Sequence, residues 1–235
     1  MKTSNRILLT TLILTLLILT AIHIALFAQL KSGNYTVIKD PFRSEFEEHV
    51  LNNVNYVLMD GLGEVTVVPS DTLSVGLRKQ DESRVSYKVI GDTLLLQPDS
   101  AEKASVQHDY LPVILNIPSA IPVEARFSSV LLQGAKDSAK ASTNTFILKQ
   151  SNLIINQRQE NYKQYWKQLS IIATDESGID LHQMSFIDSA TIQLTNSSLK
   201  DNHATFQKLT LIADDNSKLS LTAGNLKKTT LTIKP

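Results

Sequence analysis

"LSIIATDESGIDL" (169–181) and "LTLIADDNSKLSL" (209–221) share one pattern: an apolar run, a polar knot ending in serine, and a second apolar run. The stretch "TIQLTNSSLKD" (191–201), midway between them, carries a shorter form of the same knot. Aligned on Ser177, Ser197 and Ser217, the three copies bring Ile179, Leu199 and Leu219 into register at intervals of 20 residues. Twenty residues is about one winding of a small coil whose strands pair with their copies ~4.8 Å along the axis. Equivalent apolar residues then stack into internal ladders, and the polar knots become corners. Glu176, Asn196 and Asn216 precede the serines, and asparagine over asparagine suits a hydrogen-bonded corner ladder. Asp175 and Asp215 take equivalent places with Thr195 between them, so the acids fall two windings apart, ~10 Å, where repulsion is mild. Asp201 stands where its neighbours carry Leu181 and Leu221.

Upstream, period-two alternation continues. Val54, Tyr56 and Leu58 alternate with polar neighbours, as do Val65 and Val67; Leu73, Val75 and Leu77; Val85, Tyr87 and Val89; Val113, Leu115 and Ile117; and Leu153 and Ile155. Gly, Pro, Asp, Asn and Ser separate these runs, and Pro112, Pro118 and Pro122 bracket a strand over 113–117 without interrupting it. The pattern predicts an all-β domain over 54–235. "KQSNLII" is a candidate earlier copy. The segment "NQRQENYKQYWKQ" (156–168) that follows it is basic, polar and aromatic, and is expected to leave the stack as a loop or hairpin.

The N-terminus is different. Between Arg6 and Lys31 lie 24 uncharged residues, 7–30, which as a helix would span ~36 Å against a hydrocarbon core of ~30 Å. Its four threonines can return hydroxyls to carbonyls one turn earlier. The run is too long for a signal peptide, and Leu26 occupies the place of a small residue, so an uncleaved single-pass anchor is the expectation. Lys2 and Arg6 then favour a cytoplasmic N-terminus, and the domain after Lys31 lies outside, periplasmic or at the surface. His23 reaches the interface more readily than it serves a proton relay. A connector over 32–53 offers Asp40 as an N-cap, Pro41 after it, and Phe42, Phe46 and Val50 at helical spacing. It is read as a turn or two of juxtamembrane helix or as an irregular lead-in.

Composition closes several function classes. The chain of 235 residues has no cysteine, which excludes disulfides, thiolate metal sites and a cysteine nucleophile. Its 23 basic and 23 acidic side chains become 20 against 23 once Lys2, Arg6 and Lys31 are set aside, so no nucleic-acid footprint exists.

The order strand, Gly61-Leu62-Gly63, Val65, then Pro69 and Asp71, then Gly91-Asp92 with Leu94, followed by "LPVILNIPSAIPVEARFSSVLLQG" with Pro118 and Gly134, resembles the bacterial auto-transporter adhesin head family, the GIN domain. The resemblance covers 54–235. It implies a right-handed parallel β-solenoid, exported behind a signal or anchor segment, with an adhesin-like role; the expected function is structural or recognitive, without catalysis. The chain departs from the family by using Asn, Asp and Ser where glycine-rich corners are usual.

No motif argues for catalysis or a cofactor. Gly61-Leu62-Gly63 lacks the third glycine and the helix of a nucleotide loop. "TDES" and "ADDNS" lack a calcium-loop pattern, and histidines 23, 49, 108, 182 and 203 have no zinc spacing. No serine sits in a Gly-x-Ser-x-Gly elbow. Asp201 with Asp175 or Asp215 is the one arrangement that could approach the separation of an inverting glycosidase, which keeps an envelope glycan-processing enzyme as an alternative. A subunit of an envelope sensing or transport complex is another. Catalytic, cofactor and metal residues are expected to be none. Tyr162, Tyr165 and Trp166, beside Arg158, Lys163 and Lys167, are the candidate surface for a protein or glycan partner, with the rival reading that Trp166 plugs the core. The last strand, "TTLTIKP", is expected to meet a loop, a partner or another copy, which would give self-association through the C-terminal coil.

Overall fold

The computed structural model describes residues 3–31, 45–99, 112–156 and 162–234. Two compact units result, 1–44 and 45–235.

The first unit contains α1 (Thr3–Lys31), 29 residues long. Thr15 Oγ1 donates to the Thr11 carbonyl at 2.9 Å and Thr20 Oγ1 to Leu16 at 2.8 Å, while His23 Nδ1 stands 2.9 Å from the Leu19 carbonyl. The back-bonding expected of the threonines is therefore present. Among the described residues no helix is long and apolar enough to cross a membrane.

The second unit is a β-solenoid built from two nine-stranded sheets. One contains β1 (Phe46–Val50), β3 (Glu64–Pro69), β4 (Ser74–Arg78), β7 (Val113–Ile117), β9 (Ser129–Leu132), β11 (Asn152–Ile155), β13 (Gly178–Leu181), β15 (Ser198–Asp201) and β17 (Lys218–Ser220). The other contains β2 (Tyr56–Asp60), β5 (Val85–Ile90), β6 (Thr93–Pro98), β8 (Val123–Arg126), β10 (Ser142–Lys149), β12 (Gln164–Thr174), β14 (Ser185–Leu194), β16 (Thr205–Asp214) and β18 (Thr229–Lys234). From β8 to β17 the chain makes five successive windings, laying one strand in each sheet per winding, parallel to the last.

Inward side chains stack as the period predicts. In the first sheet Val113, Val65, Val130, Leu153, Ile179, Leu199 and Leu219 are successive register partners. The second sheet opposes them with Leu94, Val57, Val123, Phe146, Ile171, Ile192, Leu211 and Leu231. Apart from the end members Leu219 and Leu231 these residues are buried, and each buried Val, Leu or Ile contributes roughly 1.5–3 kcal/mol. The long strands bend at one stacked position, where the pairing skips Lys167, Asp188 and Gln207, and Gln207 Nε2 bonds Asp188 Oδ1 at 2.8 Å.

The N-terminal half does not follow sequence order. The winding β2–β3 lies between β6–β7 on one side and β8–β9 on the other. The chain leaves β3, runs outward through β4 and β5, returns through β6 and β7 beside its starting point, then crosses to β8 on the far side. Strands β4 and β5 pair antiparallel to β7 and β6, and β1 pairs antiparallel to β4. This finding corrects the connector: Phe46–Val50 is an edge strand, not helix, because the open edge of β4 offers its backbone a partner. The exposed Glu47 and Glu48 blunt that edge against further pairing. Residues 32–44, with Asp40, Pro41 and Phe42, lie outside the described residues. A second correction concerns β2, which buries Val57 and Met59 and turns Tyr56 and Leu58 outward. A phenol in the core would strand its hydroxyl; outside, Tyr56 bonds Glu124.

The corner ladder falls on serine. Ser128, Ser151, Ser177, Ser197 and Ser217 occupy the same corner in successive windings. Ser128 N donates to Ser151 Oγ at 3.1 Å, Ser151 N to Ser177 Oγ at 3.2 Å, and Ser197 N to Ser217 Oγ at 3.3 Å. Leu62 N, at the head of the column, donates to Ser128 Oγ at 3.0 Å. The residues just before it, Gly61, Phe127, Gln150, Glu176 and Asn196, all have positive φ, between 47° and 70°. Four of these five are not glycine, so the serine bonds hold a corner that costs about 1 kcal/mol or more at each such residue. Replacing Ser177, which is fully buried, with alanine should cost about 1–3 kcal/mol in chemical unfolding, because it orphans Ser151 N and removes the hydroxyl bond to the Thr174 carbonyl.

Candidate functional site

The three aromatics singled out in the sequence separate. Trp166 is 1 % exposed and lies in the core, so it is no surface anchor. The strand β12 begins at Gln164, which corrects the expectation that 156–168 leaves the stack as a whole; residues 157–161 lie outside the described residues. The strand starts there because Gln164 Oε1 accepts from Gly134 N at 2.7 Å and Tyr165 exchanges two backbone bonds with Ala135, at 2.9 and 3.2 Å. This short bridge lays Trp166 directly over Gly134.

Tyr162 and Tyr165 remain half-buried at the surface, joined by Phe186 from β14. The Tyr165 and Phe186 rings are register partners, 5.5 Å apart and tilted by 32°. Lys163 Nζ sits 5.1 Å from the Phe186 ring centre and Lys136 Nζ 4.2 Å from that of Tyr162. Both lysines are exposed. The result is an aromatic patch with cations held over its rings, an arrangement worth roughly 0.5–1 kcal/mol per pair at exposed sites. Its chemistry suits a partner that presents an apolar face together with negative charge. Phe186 was missed in the sequence because it reads as one more inward residue of a strand.

Asp201, Asp214 and Asp175 are committed to structural bonds. Asp201, 6 % exposed, accepts from Ala204 N, Thr222 N, Thr222 Oγ1 and Asn225 Nδ2 at 2.7–3.0 Å, and is thereby withdrawn from any pairing with Asp175 or Asp215. Asp214 accepts from Asn196 N and Ser217 Oγ, and these bonds hold its carboxyl below the usual range. Asp175 accepts from Thr174 Oγ1 at 2.9 Å. Among the described residues no three His, Asp or Glu side chains gather as a metal site.

The most strongly perturbed group is Glu124 on the outer face of β8. Tyr56 Oη donates to it at 2.6 Å, Arg126 Nε at 2.7 Å and Lys149 Nζ at 2.8 Å, across three adjacent strands. Burial alone would raise its pKa; the hydrogen bonds from Lys149, Tyr56 and Arg126 outweigh burial and lower it to about 2. Tyr56 is pushed up to about 12 by burial and by its bond to Glu124. The cluster clips β2, β8 and β10 together. Its contribution is complete above pH 4.5, the ordinary value for the carboxyl, and fades as pH falls towards 2. Glu124→Gln should therefore flatten the loss of stability between about pH 4.5 and pH 2, measured as unfolding midpoint against pH. An unchanged profile would show that other carboxylates govern the acid limb.

No protein-family model and no curated protein matches the chain. Among solved structures it is similar to a "putative lipid binding protein" from Parabacteroides distasonis at 14 % identity, covering 75 % of this chain and 81 % of that one, with a TM-score of 0.40. A "putative adhesin" from the same organism matches at 8 % identity over 74 % and 79 %, TM-score 0.39. Another from Bacteroides fragilis matches at 10 % over 80 % and 94 %, TM-score 0.37. These scores are low, and the solenoid assignment rests on this chain's own strand registers.

Proposed function

We propose that the chain is a membrane-anchored, exported β-solenoid of the GIN type that recognises an envelope partner, adhesin-like, without catalysis. The observation that carries recognition is the aromatic–cation patch of Tyr162, Tyr165, Phe186, Lys136 and Lys163, set on a sheet where Asp188 and Asp214 are held in structural bonds. Support for the anchor comes from the uncharged run 7–30 on one long helix, flanked by Arg6 and Lys31. The partner the patch suits is an acidic saccharide: its ring face stacks on Tyr165 and Phe186, and its carboxylate meets the lysines. Self-association through β17 and β18 belongs to the same proposal, since the half-exposed Leu231 and Ile233 extend inward ladders that β18 leaves uncovered.

The experiment is binding of the full chain, held in a sugar-free detergent, to immobilised polygalacturonate. Retention that falls with salt and drops about tenfold or more in Lys136→Ala/Lys163→Ala is the expected result. No retention, or retention indifferent to both substitutions, would overturn the assignment of the patch.

A further inference from the structure

A second surface feature stands apart from that patch, at the corner where β2 turns into β3. Asp60 to Gly63, Pro98, Phe127, Gln150 and Asn152 line an open groove of about 690 Å³. Its origin lies in the column of left-handed corner residues. Phe127 and Gln150 project side chains there, whereas Gly61 projects none, so the corner is hollow at Gly61 and walled by the ring of Phe127. Pro98 closes the other side, 3.7 Å from where a Cβ on Gly61 would stand. The floor is fixed by Gly61 N on the Arg126 carbonyl at 2.9 Å, Leu62 N on Ser128 Oγ at 3.0 Å, and Ser129 N on the Gly63 carbonyl at 2.9 Å.

Phe127 is the anomaly. It is 61 % exposed and has φ of 49°, so it carries a conformational cost and a solvation cost at once. The same corner in later windings uses Gln150, Glu176 and Asn196, polar residues that sit there more cheaply. A wall of this kind is useful only against a ligand with an apolar face. Gln150 and Asn152 are exposed and their side-chain amides make no hydrogen bond to the described residues, and Asp60 adds a carboxylate. Amides both donate and accept, which matches vicinal hydroxyls. Among the described residues no lysine, arginine or histidine lines the groove, which disfavours an anion. A peptide is disfavoured as well: β2 is already paired with β6 and β8, and β3 with β7 and β9, so no backbone edge is open for strand addition.

We infer that this groove is a binding site for a neutral saccharide, one pyranose ring lying against Phe127 with its hydroxyls bonded by Asp60, Gln150 and Asn152. The site is independent of the aromatic–cation patch and takes a different ligand.

The test is an NMR titration of the full chain, in sugar-free detergent, with cellotriose, chitotriose and mannotriose. A trigalacturonate and a proline-rich peptide serve as comparators. At least one neutral trisaccharide should shift the amide signals of Gly61, Gly63 and Gln150. Phe127→Gly should weaken that binding about tenfold or more while the unfolding midpoint stays level or rises by about 2–4 °C, because glycine relieves the left-handed backbone. Binding lost with stability unharmed separates a ligand wall from a structural residue. The Lys136→Ala/Lys163→Ala variant should bind the neutral sugar unchanged. The inference fails if none of the three neutral sugars binds, if Phe127→Gly binds equally well, or if the acidic sugar or the peptide alone shifts these signals.

Discussion

Replacing Trp166 with alanine is expected to cost about 3–5 kcal/mol, the largest single loss of packing in the solenoid. Trp166 is among the largest fully buried side chains, and it fills the place where the strand pairing of Gln164 and Tyr165 re-enters the stack. A cavity of its size cannot collapse, since the pairing of Trp166 with Ser142 and Ile187 and the bridge of Tyr165 to Ala135 hold the surrounding backbone. The indole N–H has no hydrogen-bond partner among the described residues, so Trp166→Phe should be far milder than the alanine variant: it removes an unbonded donor along with part of the volume. Gly134 provides the reciprocal check. A Cβ there would stand 2.7–2.9 Å from the indole atoms, and the ring cannot yield, so Gly134→Ala should cost about 1–3 kcal/mol. That penalty should shrink in the Trp166→Phe background, which lacks the crowded benzo ring. Denaturant unfolding of the four proteins measures the coupling, and strictly additive losses would contradict the packing.

The second large effect concerns Asp201. Sequence periodicity alone recommends leucine at this position, because Leu181 precedes it in the column and Leu221 follows at the same interval. The structure predicts the opposite. Asp201 ties the last winding to the short helix α2 (Ala223–Leu226): Thr222, just before it, and Asn225 within it both donate to the carboxylate. Asn225 in turn bonds the Ala204 carbonyl at 2.7 Å and accepts from Phe206 N at 3.3 Å. Asp201→Leu should therefore lose about 3 kcal/mol or more, since leucine leaves Thr222 N, Ala204 N and one N–H of the Asn225 amide without their acceptor. Asp201→Asn keeps one acceptor oxygen and should lose roughly half as much. Stabilisation by Asp201→Leu would mean that the hydrophobic ladder, not the polar tie, sets the end of the stack.

The C-terminal windings were legible because each repeats within about 20 residues. Ser177, Ser197 and Ser217 mark the corner, and Ile179, Leu199 and Leu219 follow at a fixed offset. Earlier windings keep the serine, at Ser128 and Ser151, but intervening segments of unequal length hide the period. The excursion through β4 to β7 was not legible at all. Antiparallel and parallel strands share the same alternation, and nothing local tells β2 that its partner β8 lies more than sixty residues away. Asparagine looked like the corner ladder because it precedes two of the serines, yet the backbone bonds run to the hydroxyls. Phe127 escaped notice for a related reason: in "ARFSS" it reads as an ordinary strand residue, and only the left-handed backbone shows that it faces water. The comparison that exposes it, phenylalanine where later corners carry Gln, Glu and Asn, requires the register first.

The solenoid itself can be tested by distance. The chain has no cysteine, so spin labels go where they are placed. Asp180 and Lys200 face outward as register partners on adjacent windings, and Ser220 is the next in line. Labels at 180 and 200 should show strong dipolar broadening, as backbones ~4.8 Å apart require, and labels at 180 and 220 a weaker interaction from about twice that separation. Equal broadening in both pairs, or none between 180 and 200, would contradict parallel windings in this register.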